Sequence, residues 1–295
     1  MDLWVKNYGR SINGFRVVDL IFIIFKNEVP YNGSIVGKWL MLNITDREKS
    51  SMRSLERALH IMAVLEESGG RMSLTELGRA SQLSKATVLR IVLVLEKYGF
   101  AEKRHGRYRL GATVLPLAHE YVIGNELVRV ALPVLQELAR TSKETASLYV
   151  RVGFKRIAVQ RVEGINPLRF ALPIGQRLPL HVGAGKVFAA AMPAGERQQW
   201  MDELEEIFLA KGETFSRKAL IEDLETIRRH GYAVTVGDRL KGTFGITAPV
   251  INAYKATIAA VTVAGAVERL TPKRTESLIV EVRDAAKTIG ERYNI

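Results

Sequence analysis

The chain contains 295 residues, of which 47% are hydrophobic, and it carries a formal net charge of +12 at pH 7. This length allows two domains with separate cores, and the basic balance favours a polyanionic partner. The absence of cysteine excludes a disulfide framework, a thiolate nucleophile and a cysteine-ligated zinc site. The five histidines lack metal-ligand spacing, so neither a metal site nor a cofactor is predicted. No apolar run is long enough to cross a bilayer, and a cytoplasmic location is expected.

Residues 1–50 are predicted to form an N-terminal extension of uncertain structure. The segment from Val17 to Phe25 is apolar but short, it contains Asp19, and no small-residue cleavage site follows it. Regular periodicity begins only after Ser51, so we expect the natural start nearer Met41 or Met52. A signal peptide is the alternative interpretation of this segment.

A first amphipathic helix is predicted from Met52 to Glu67, with Gly69 and Gly70 ending it. Its apolar stripe is expected to pack against the two helices that follow. The stripe consists of Leu55, Ala58, Leu59, Ile61, Met62 and Leu65.

Two further helices joined by a tight turn are predicted from Ser73 to Tyr98, because apolar residues recur every three or four positions. Ser73 and Glu76 have the spacing of a capping box, and Ser84 is predicted to cap the second helix. Gln82 is a local misfit, since glycine would fit the turn more easily if it needs a positive φ.

After this pair of helices the hydrophobic period changes to two on either side of His105 and Gly106, which predicts a hairpin. Two helices and a basic hairpin together predict a winged helix-turn-helix over residues 51–111. This segment has eleven Lys and Arg residues against six Asp and Glu residues, concentrated in the second helix and the wing.

The basic excess favours DNA binding, with the second helix in the major groove and the wing against the phosphate backbone. A helical hairpin whose charges only keep it in solution is the alternative. The predicted DNA contacts are Thr75, Ser84, Lys85, Thr87 and Arg90 from the helices, and Lys103, Arg104, Arg107 and Arg109 from the wing.

A connecting helix is predicted after the wing, as a linker over residues 112–127, interrupted near Gly124 and Asn125. A second helix is expected to run to Thr141 with Pro133 in its first turn, where proline is tolerated. The connector has more apolar residues than one isolated helix needs, which indicates packing against a second copy of the chain.

The remaining residues, 128–295, are predicted to form an antiparallel sheet with helices grouped around it, an α+β domain. Three strands are predicted in succession, TASLYVRV, RIAVQRVEG and PLRFALPI, with turns at Gly153 and Gly164. A helix ending at Gly231, three further strands and a last helix capped by Thr271 follow.

The segment from His181 to Lys186, HVGAGK, is predicted to be a small-residue loop that opens a helix. Backbone N–H groups at Gly183, Ala184 and Gly185 would suit a carboxylate or phosphate. Alternatively, the glycines only allow the helix to approach the sheet. It lacks the P-loop pattern, and no acid, base or nucleophile is predicted beside it, so binding without catalysis is expected.

These motifs, taken in order, resemble the IclR-type (isocitrate lyase regulator) transcription factors from Ser51 to the C-terminus. The matching segments are RSLERALHIMAVLEE, LTELGRASQLSKATVLRIVLVLEKYGF, RYRLG, RVEG, PLRFALPIGQRLPLH, GAGK, IRRHGYAV, APV and AGAVERLTP. The resemblance implies a winged helix-turn-helix, a linker helix and a GAF-like effector domain that binds small metabolites, often organic or aromatic acids. It also implies dimers, or dimers of dimers.

The resemblance places an effector cavity in the C-terminal domain. Its implied residues are Phe170 and Leu178 as the floor, Gly183 and Ala184 as amide donors, and Thr235, Thr243, Gly245, Thr262 and Ala264 as lining. Thr235 stands where an acidic residue is common, Gly245 replaces a common cysteine and Ala264 a frequent serine. The loop after His181 is one residue short. These departures suit a bulkier, less polar acid or a cavity that has lost its effector.

The sequence therefore predicts a DNA-binding transcriptional regulator of a metabolic operon, a repressor or an activator, with operator DNA and a small acid as partners. The alternative is a ligand-independent dimeric DNA-binding protein whose sheet domain only mediates oligomerisation. An enzyme such as a GAF-type methionine sulfoxide reductase is disfavoured, because that chemistry needs cysteine.

Overall fold

The N-terminal domain is a three-helix unit followed by a wing. The computed structural model describes residues 49–166, 172–204, 207–208 and 214–293, so all but the last two positions of the predicted extension lie outside the described residues. The elements are α1 (Lys49–Glu67), β1 (Met72–Ser73), α2 (Leu74–Ser81), α3 (Lys85–Lys97), β2 (Ala101–Arg104) and β3 (Arg107–Leu110). β3 lies between β1 and β2 in a small antiparallel sheet.

Both predicted helix caps are present. Ser73 Oγ accepts a hydrogen bond from the Glu76 N–H at 3.3 Å, and Glu76 Oε2 accepts one from the Ser73 N–H at 2.7 Å. Ser84 Oγ accepts a hydrogen bond from the Thr87 N–H at 3.2 Å. Each cap is worth about 1 kcal/mol and fixes where its helix begins. The turn between the helices places Gln82 at φ +54°, the left-handed conformation for which glycine would be easier.

The core of this domain is built from one face of each helix and from the wing. Ile61, Leu77, Val88 and Val92 are fully buried, and Tyr108 of the wing packs with them. The predicted stripe of α1 is only partly correct, because its buried residues begin at Ile61. Leu55 and Leu59 are 54% and 51% exposed, since α2 and α3 pack against the C-terminal half of α1.

The connector consists of α4 (Val114–Gly124) and α5 (Glu126–Ser142). The predicted interruption is confirmed: Asn125 Oδ1 caps α5 by accepting a hydrogen bond from the Val128 N–H at 3.2 Å. The prediction for Pro133 is wrong, because α5 begins seven residues earlier and Pro133 lies within it. A proline there removes one backbone hydrogen bond from the helix.

The C-terminal domain is organised around a six-stranded antiparallel sheet with the strand order β6-β5-β4-β11-β10-β9. This confirms the predicted α+β architecture. Its elements are β4 (Thr145–Val152), β5 (Lys155–Val162), β6 (Arg177–Pro179), α6 (Gly185–Ala191), α7 (Ala194–Glu203), β7 (Ile207–Phe208), β8 (Thr214–Phe215), α8 (Arg217–His230), β9 (Ala233–Val236), β10 (Thr243–Ile251), β11 (Thr257–Ala266), a 3-10 turn (Val267–Arg269) and α9 (Pro272–Tyr293).

The third strand of the sheet lies later in the chain than predicted. The predicted segment PLRFALPI starts at residue 167, and residues 167–171 lie outside the described residues, whereas Leu172 to Ile174 are not in a strand. A turn closed by the Gln176 N–H to Pro173 C=O hydrogen bond, 3.2 Å, intervenes. β6 then pairs with β5 from Arg177 onward, so the proline-containing turn displaces the strand.

The two faces of the sheet have different coverings. One face packs against α5 and α9 around fully buried residues such as Leu135, Leu148, Ile246 and Val261. The other face packs against α6, α7 and α8, where Phe188, Trp200 and Leu224 are buried. The second covering spans only part of its face and leaves the region near Gly245 and Ala264 for a cavity.

The N-terminal winged helix-turn-helix domain contacts the sheet domain through the C-terminal end of α1. Glu67 pairs with Lys155 of β5, and Glu66 lies 3.3 Å from Arg177 of β6. All four side chains are partly exposed, so these ion pairs are weak. Within the described ranges, none of the helices has the length and hydropathy needed to cross a membrane.

Candidate functional site

The exposed side of α3 carries cations that form no ion pair with the described residues. Lys85 and Arg90 are exposed, and no ion pair involves either of them among the described residues. Ser84 and Thr87 lie at the same end of the helix, with their hydroxyl oxygens 2.9 Å apart. Thr75 is exposed near the start of α2. Five predicted contact residues therefore lie in the N-terminal halves of the two helices or at their caps.

The four basic residues of the wing differ in how far they are engaged. Arg107 donates hydrogen bonds to Glu76 and to the Arg71 carbonyl, each at 3.0 Å. Arg109 pairs with Glu102 across the hairpin. Lys103 lies over the Tyr108 ring at 5.3 Å, and Arg104 is exposed. Lys103 and Arg104 therefore remain available for an external anion, whereas Arg107 and Arg109 are compensated by carboxylates.

The Arg107 contact also acts on Glu76. Hydrogen bonds from Ser73, followed by the charge and hydrogen bond of Arg107, lower the pKa of the Glu76 carboxyl. The carboxylate thus stays ionised in the cap and keeps Arg107 beside the first turn of α2.

The floor of the cavity in the C-terminal domain consists of two rows of residues across the sheet. In one row Arg161, Ser147 and Thr262 are register partners on successive strands, and Thr247 continues the row beyond the residues that line the cavity. The second row has small residues in its middle, with Ala264 and Gly245 between two threonines. Its members are Thr145, Ala264, Gly245 and Thr235. Because Ala264 and Gly245 have little or no side chain, they leave space above the middle of the sheet, and a cavity of about 70 Å³ remains there.

The hydroxyl groups of the floor are largely bonded to one another or to the backbone. The hydroxyl oxygens of Thr247 and Thr262 are hydrogen-bonded to each other at 2.9 Å, and the Thr235 hydroxyl donates to the Gly245 carbonyl at 3.2 Å. Thr243 donates to the Leu240 carbonyl at 2.7 Å. Thr145 Oγ1 is buried and has no hydrogen-bond partner. The Thr145 hydroxyl is therefore available to a ligand.

The walls of the cavity carry three arginines, Arg156, Arg161 and Arg239, and one carboxylate, Asp238. Arg156 is 2% exposed and donates to the carbonyls of Pro179, at 2.6 Å, and Val182. Burial is the main reason that the pKa of Arg156 falls to about 10, and the nearby Arg239 lowers it further. The wall is therefore strongly electropositive.

The amide donors expected in the HVGAGK loop are not all available. The Gly183 N–H donates to Asp238 Oδ2 at 3.3 Å, and the Gly185 N–H donates to the Val182 carbonyl at 3.2 Å. In addition, α6 has only seven residues. The loop thus already holds a carboxylate of the protein, because the Asp238 segment folds over it.

A buried lysine anchors this arrangement. Lys186 is 3% exposed, and its Nζ lies 2.7 Å from Asp238 and 2.8 Å from Asp223. Sequence reasoning missed both carboxylates and all three arginines. The signal available for Lys186 was its position in the otherwise apolar helix GKVFAAA, where a charged residue needs a buried partner.

The structure brings together most of the residues that were predicted to bind an effector. Gly183, Ala184, Thr235, Thr243, Gly245, Thr262 and Ala264 all line the cavity. Leu178 does not, because in β6 its side chain packs in the apolar cluster with Leu180 and Val187. Phe170 lies outside the described residues. Among the described residues, no group of three His, Cys, Asp or Glu side chains could hold a metal ion.

A basic winged helix-turn-helix joined to a sheet domain with an electropositive cavity is the architecture of a ligand-responsive DNA-binding regulator. Family models agree with both parts: the IclR helix-turn-helix domain matches residues 54–105, and the C-terminal domain of the bacterial transcriptional regulator IclR matches residues 119–291. The chain belongs to the IclR family of transcriptional regulators.

Individual relatives support the assignment over most of the chain. The transcriptional repressor AllR of Escherichia coli is 30% identical over 248 residues, covering 81% of this chain and 89% of AllR. The regulator KipR of Bacillus subtilis is 29% identical over 223 residues, covering 75% and 89%. An IclR homologue from Microbacterium hydrocarbonoxydans, solved with 4-hydroxybenzoate, has the same fold, with a TM-score of 0.64, 21% identity and coverage of 81% and 98%.

The pH dependence of stability tests the electrostatics beside the cavity. Burial, then the charges of Arg156 and Lys186, lower the pKa of His181 from 6.5. The unfolded chain therefore binds a proton at His181 more readily, so acidification through pH 6.5 should reduce the free energy of unfolding until the folded pKa is passed.

We expect His181→Gln to weaken this acid-dependent decline in chemical denaturation between about pH 7 and pH 5. His230→Gln, at an exposed helix end, is the matched control and should leave the decline unchanged. Equal pH profiles for the wild type and His181→Gln would contradict the effect.

Proposed function

We propose that this protein is a cytoplasmic, sequence-specific transcriptional regulator of metabolic genes, controlled by a small organic or aromatic acid bound in its C-terminal cavity. The observation that carries the proposal is the pairing of an exposed, uncompensated cationic helix with a buried, electropositive cavity in one chain. The first suits the phosphates and base edges of DNA, and the second suits an acid.

The DNA contact is assigned to α3 and to part of the wing. Among the described residues no carboxylate pairs with Lys85 or Arg90, so DNA binding breaks no such ion pair. Arginine and lysine read guanine in the major groove and also neutralise phosphates. Arg107 and Arg109 would have to leave Glu76 and Glu102 before contributing fully, so we assign the larger wing contribution to Lys103 and Arg104.

A second copy of the chain is expected to cover α4. None of the eleven residues of this helix is buried, and Leu115, Leu117, Tyr121 and Ile123 are 46–67% exposed. A contiguous apolar surface of this kind usually marks an interface. A two-fold dimer would present two α3 helices to half-sites about 34 Å apart, or a multiple of that distance.

The structure offers a direct connection between the cavity and the DNA-binding domain. Adjacent residues of β5 face the two parts: Arg156 lines the cavity, whereas Lys155 pairs with Glu67 at the end of α1. A ligand that moves Arg156 would move the anchor of α1. Because this ion pair is exposed and weak, a small change in β5 is enough to shift the balance between domain orientations.

The ligand class is supported by the charge of the cavity and by one structural neighbour. The neighbour from Microbacterium hydrocarbonoxydans was solved with 4-hydroxybenzoate, an aromatic acid. The competing proposal is a ligand-independent DNA-binding protein whose sheet domain only dimerises. The single carboxylate already held at the loop by Gly183 favours that alternative, and a ligand titration separates the two.

Substitutions on α3 and the wing test the DNA-binding surface. Arg90→Ala and Lys85→Ala should each weaken operator binding by about 10- to 100-fold, because each loses about 1–3 kcal/mol of base or phosphate contact. Arg104→Ala should weaken it more than Arg107→Ala does. Affinities measured by gel shift should also fall steeply with salt.

The control is Arg228→Ala, which removes an exposed arginine of α8 and should leave operator binding unchanged. Circular dichroism should show that each variant is folded. Wild-type footprints for both α3 variants would assign DNA recognition to another surface.

The role of α4 is tested by charge. Leu117→Glu combined with Ile123→Glu should convert a dimer into a monomer in light scattering, because two carboxylates would be buried at the interface. The weaker, non-cooperative binding of a monomer to a palindromic operator should follow. Val280→Glu on α9, which is 59% exposed, is the control. An unchanged mass would place the interface elsewhere.

Ligand control is tested by filling the cavity. An effector acid at ~100 times its dissociation constant should stabilise the wild type by ~2.7 kcal/mol and change operator affinity. Ala264→Leu should abolish both responses while retaining DNA binding, because the side chain would occupy the low floor. Ala191→Leu, at an exposed position of α6, should respond normally. Operator binding that no acid alters would favour the ligand-independent alternative.

A further inference from the structure

The cations in the cavity wall outnumber the carboxylates that compensate them. Arg156, Arg161 and Arg239 line the cavity, and Asp238 is the one carboxylate among the described lining residues. Asp238 is itself paired with Lys186 at 2.7 Å. The negative charge of Asp238 is therefore largely neutralised by Lys186, and it cannot also neutralise the three arginines.

The arginines differ in their partners. Arg161 lies 3.2 Å from Glu163, although that glutamate is 56% exposed and its charge is screened. The Arg156 guanidinium donates to backbone carbonyls and its Cζ lies 5.4 Å from the centre of the Tyr149 ring, and within the described ranges no carboxylate forms an ion pair with it. Arg239 forms no ion pair among the described residues. In the part of the chain that the structure describes, the guanidinium groups of Arg156 and Arg239 thus have no counter-ion.

Buried donors at the same place also lack partners. Arg156 Nε and Arg161 Nε are both buried without a hydrogen-bond acceptor, and Thr145 Oγ1 is unsatisfied. More than about 90% of buried polar groups in proteins have a partner. Three unsatisfied groups around one cavity indicate that an acceptor-rich molecule belongs there.

The loop at Gly183 is not a second site for an anion. Its amide is bonded to Asp238, and a ligand carboxylate placed there would meet a carboxylate of the protein. A ligand's negative groups are therefore directed to the arginine wall.

We propose that the effector is a compact dianion, such as a small dicarboxylate, whose two charged groups bind the wall formed by Arg156, Arg161 and Arg239 while Asp238 occupies the loop amide. The inference rests on the proposed function, in which this cavity binds an acid. One negative group would leave one of the two uncompensated arginines without a counter-ion. The cavity, about 70 Å³, has room for about five to seven water molecules, which limits the dianion to a small one.

Matched pairs of acids test the charge requirement in the full-length protein. Succinate is compared with succinamate, and phthalate with phthalamate, because in each pair a neutral amide replaces one carboxylate at nearly constant size. Dissociation constants are measured by calorimetry, and thermal shifts are recorded in parallel at physiological ionic strength. The diacid of at least one pair should bind at least about tenfold more tightly than its monoamide.

Arg239→Gln should reduce that preference to near unity, because the second negative group loses its cationic partner. Arg239 is half-buried and does not take part in the Arg156 hydrogen bonds, which should remain. Arg228→Gln, which removes an exposed arginine outside the cavity, should retain the full preference. Preference lost in the first variant and kept in the second supports the proposal.

Two other outcomes overturn it and are distinguishable. If monoamides or simple monoacids bind as tightly as the diacids, the dianion is wrong, but the cavity still binds an acid and the proposed function stands. If no compound of either charge binds while operator DNA is still bound, the dianion and ligand control fail together and the ligand-independent alternative is favoured.

Discussion

The alternation of side chains along the central strands is the constraint on which the C-terminal domain depends. On β4, β10 and β11, residues such as Leu148, Ile246 and Val261 point to α5 and α9, and each contributes about 1.5–3 kcal/mol by burial. The intervening residues on the same strands are small or hydroxylated and face the cavity. Because the apolar face alone anchors two long helices, the opposite face can remain polar and partly uncovered without loss of the fold.

Buried charges give the cavity its shape and its sign. Lys186 joins Asp223 of α8 to Asp238, and Asp238 in turn bonds the Gly183 amide, so three segments are fixed by one cation. Arg156 is held by carbonyls, which fix its orientation without neutralising it. Removing a partner from such a network is costly, because it leaves an uncompensated charge in a medium of low dielectric constant. The network therefore fixes the positions of the charged groups beside the cavity.

Local rules predicted most of the fold, and contacts between distant residues supplied what could not be predicted. The caps at Ser73 and Ser84 span three residues, so sequence spacing is enough to find them. The hydrogen bond from the Gly183 amide to the Asp238 carboxylate joins positions 55 residues apart, and no local sequence pattern predicts it. Arginine is usually a surface residue, so its type did not predict burial. Arg156 is buried because the Pro179 and Val182 carbonyls accept its hydrogen bonds. Leu178 was placed at the floor only by the family resemblance, whereas its side chain packs in the apolar cluster with Leu180.

The low floor made by Gly245 and Ala264 has an evolutionary consequence. Both residues lie in interior strands whose backbones are fully paired, and a Cβ at position 245 would come within 3.1 Å of the Thr235 hydroxyl, whereas nothing in the ladder depends on their side chains. Substitution at position 264 can therefore raise or lower the floor of the cavity while the paired strands stay the same, whereas at position 245 any larger residue requires the Thr235 side chain to shift. The set of molecules that fit the cavity can in this way change without any change in the helix-turn-helix.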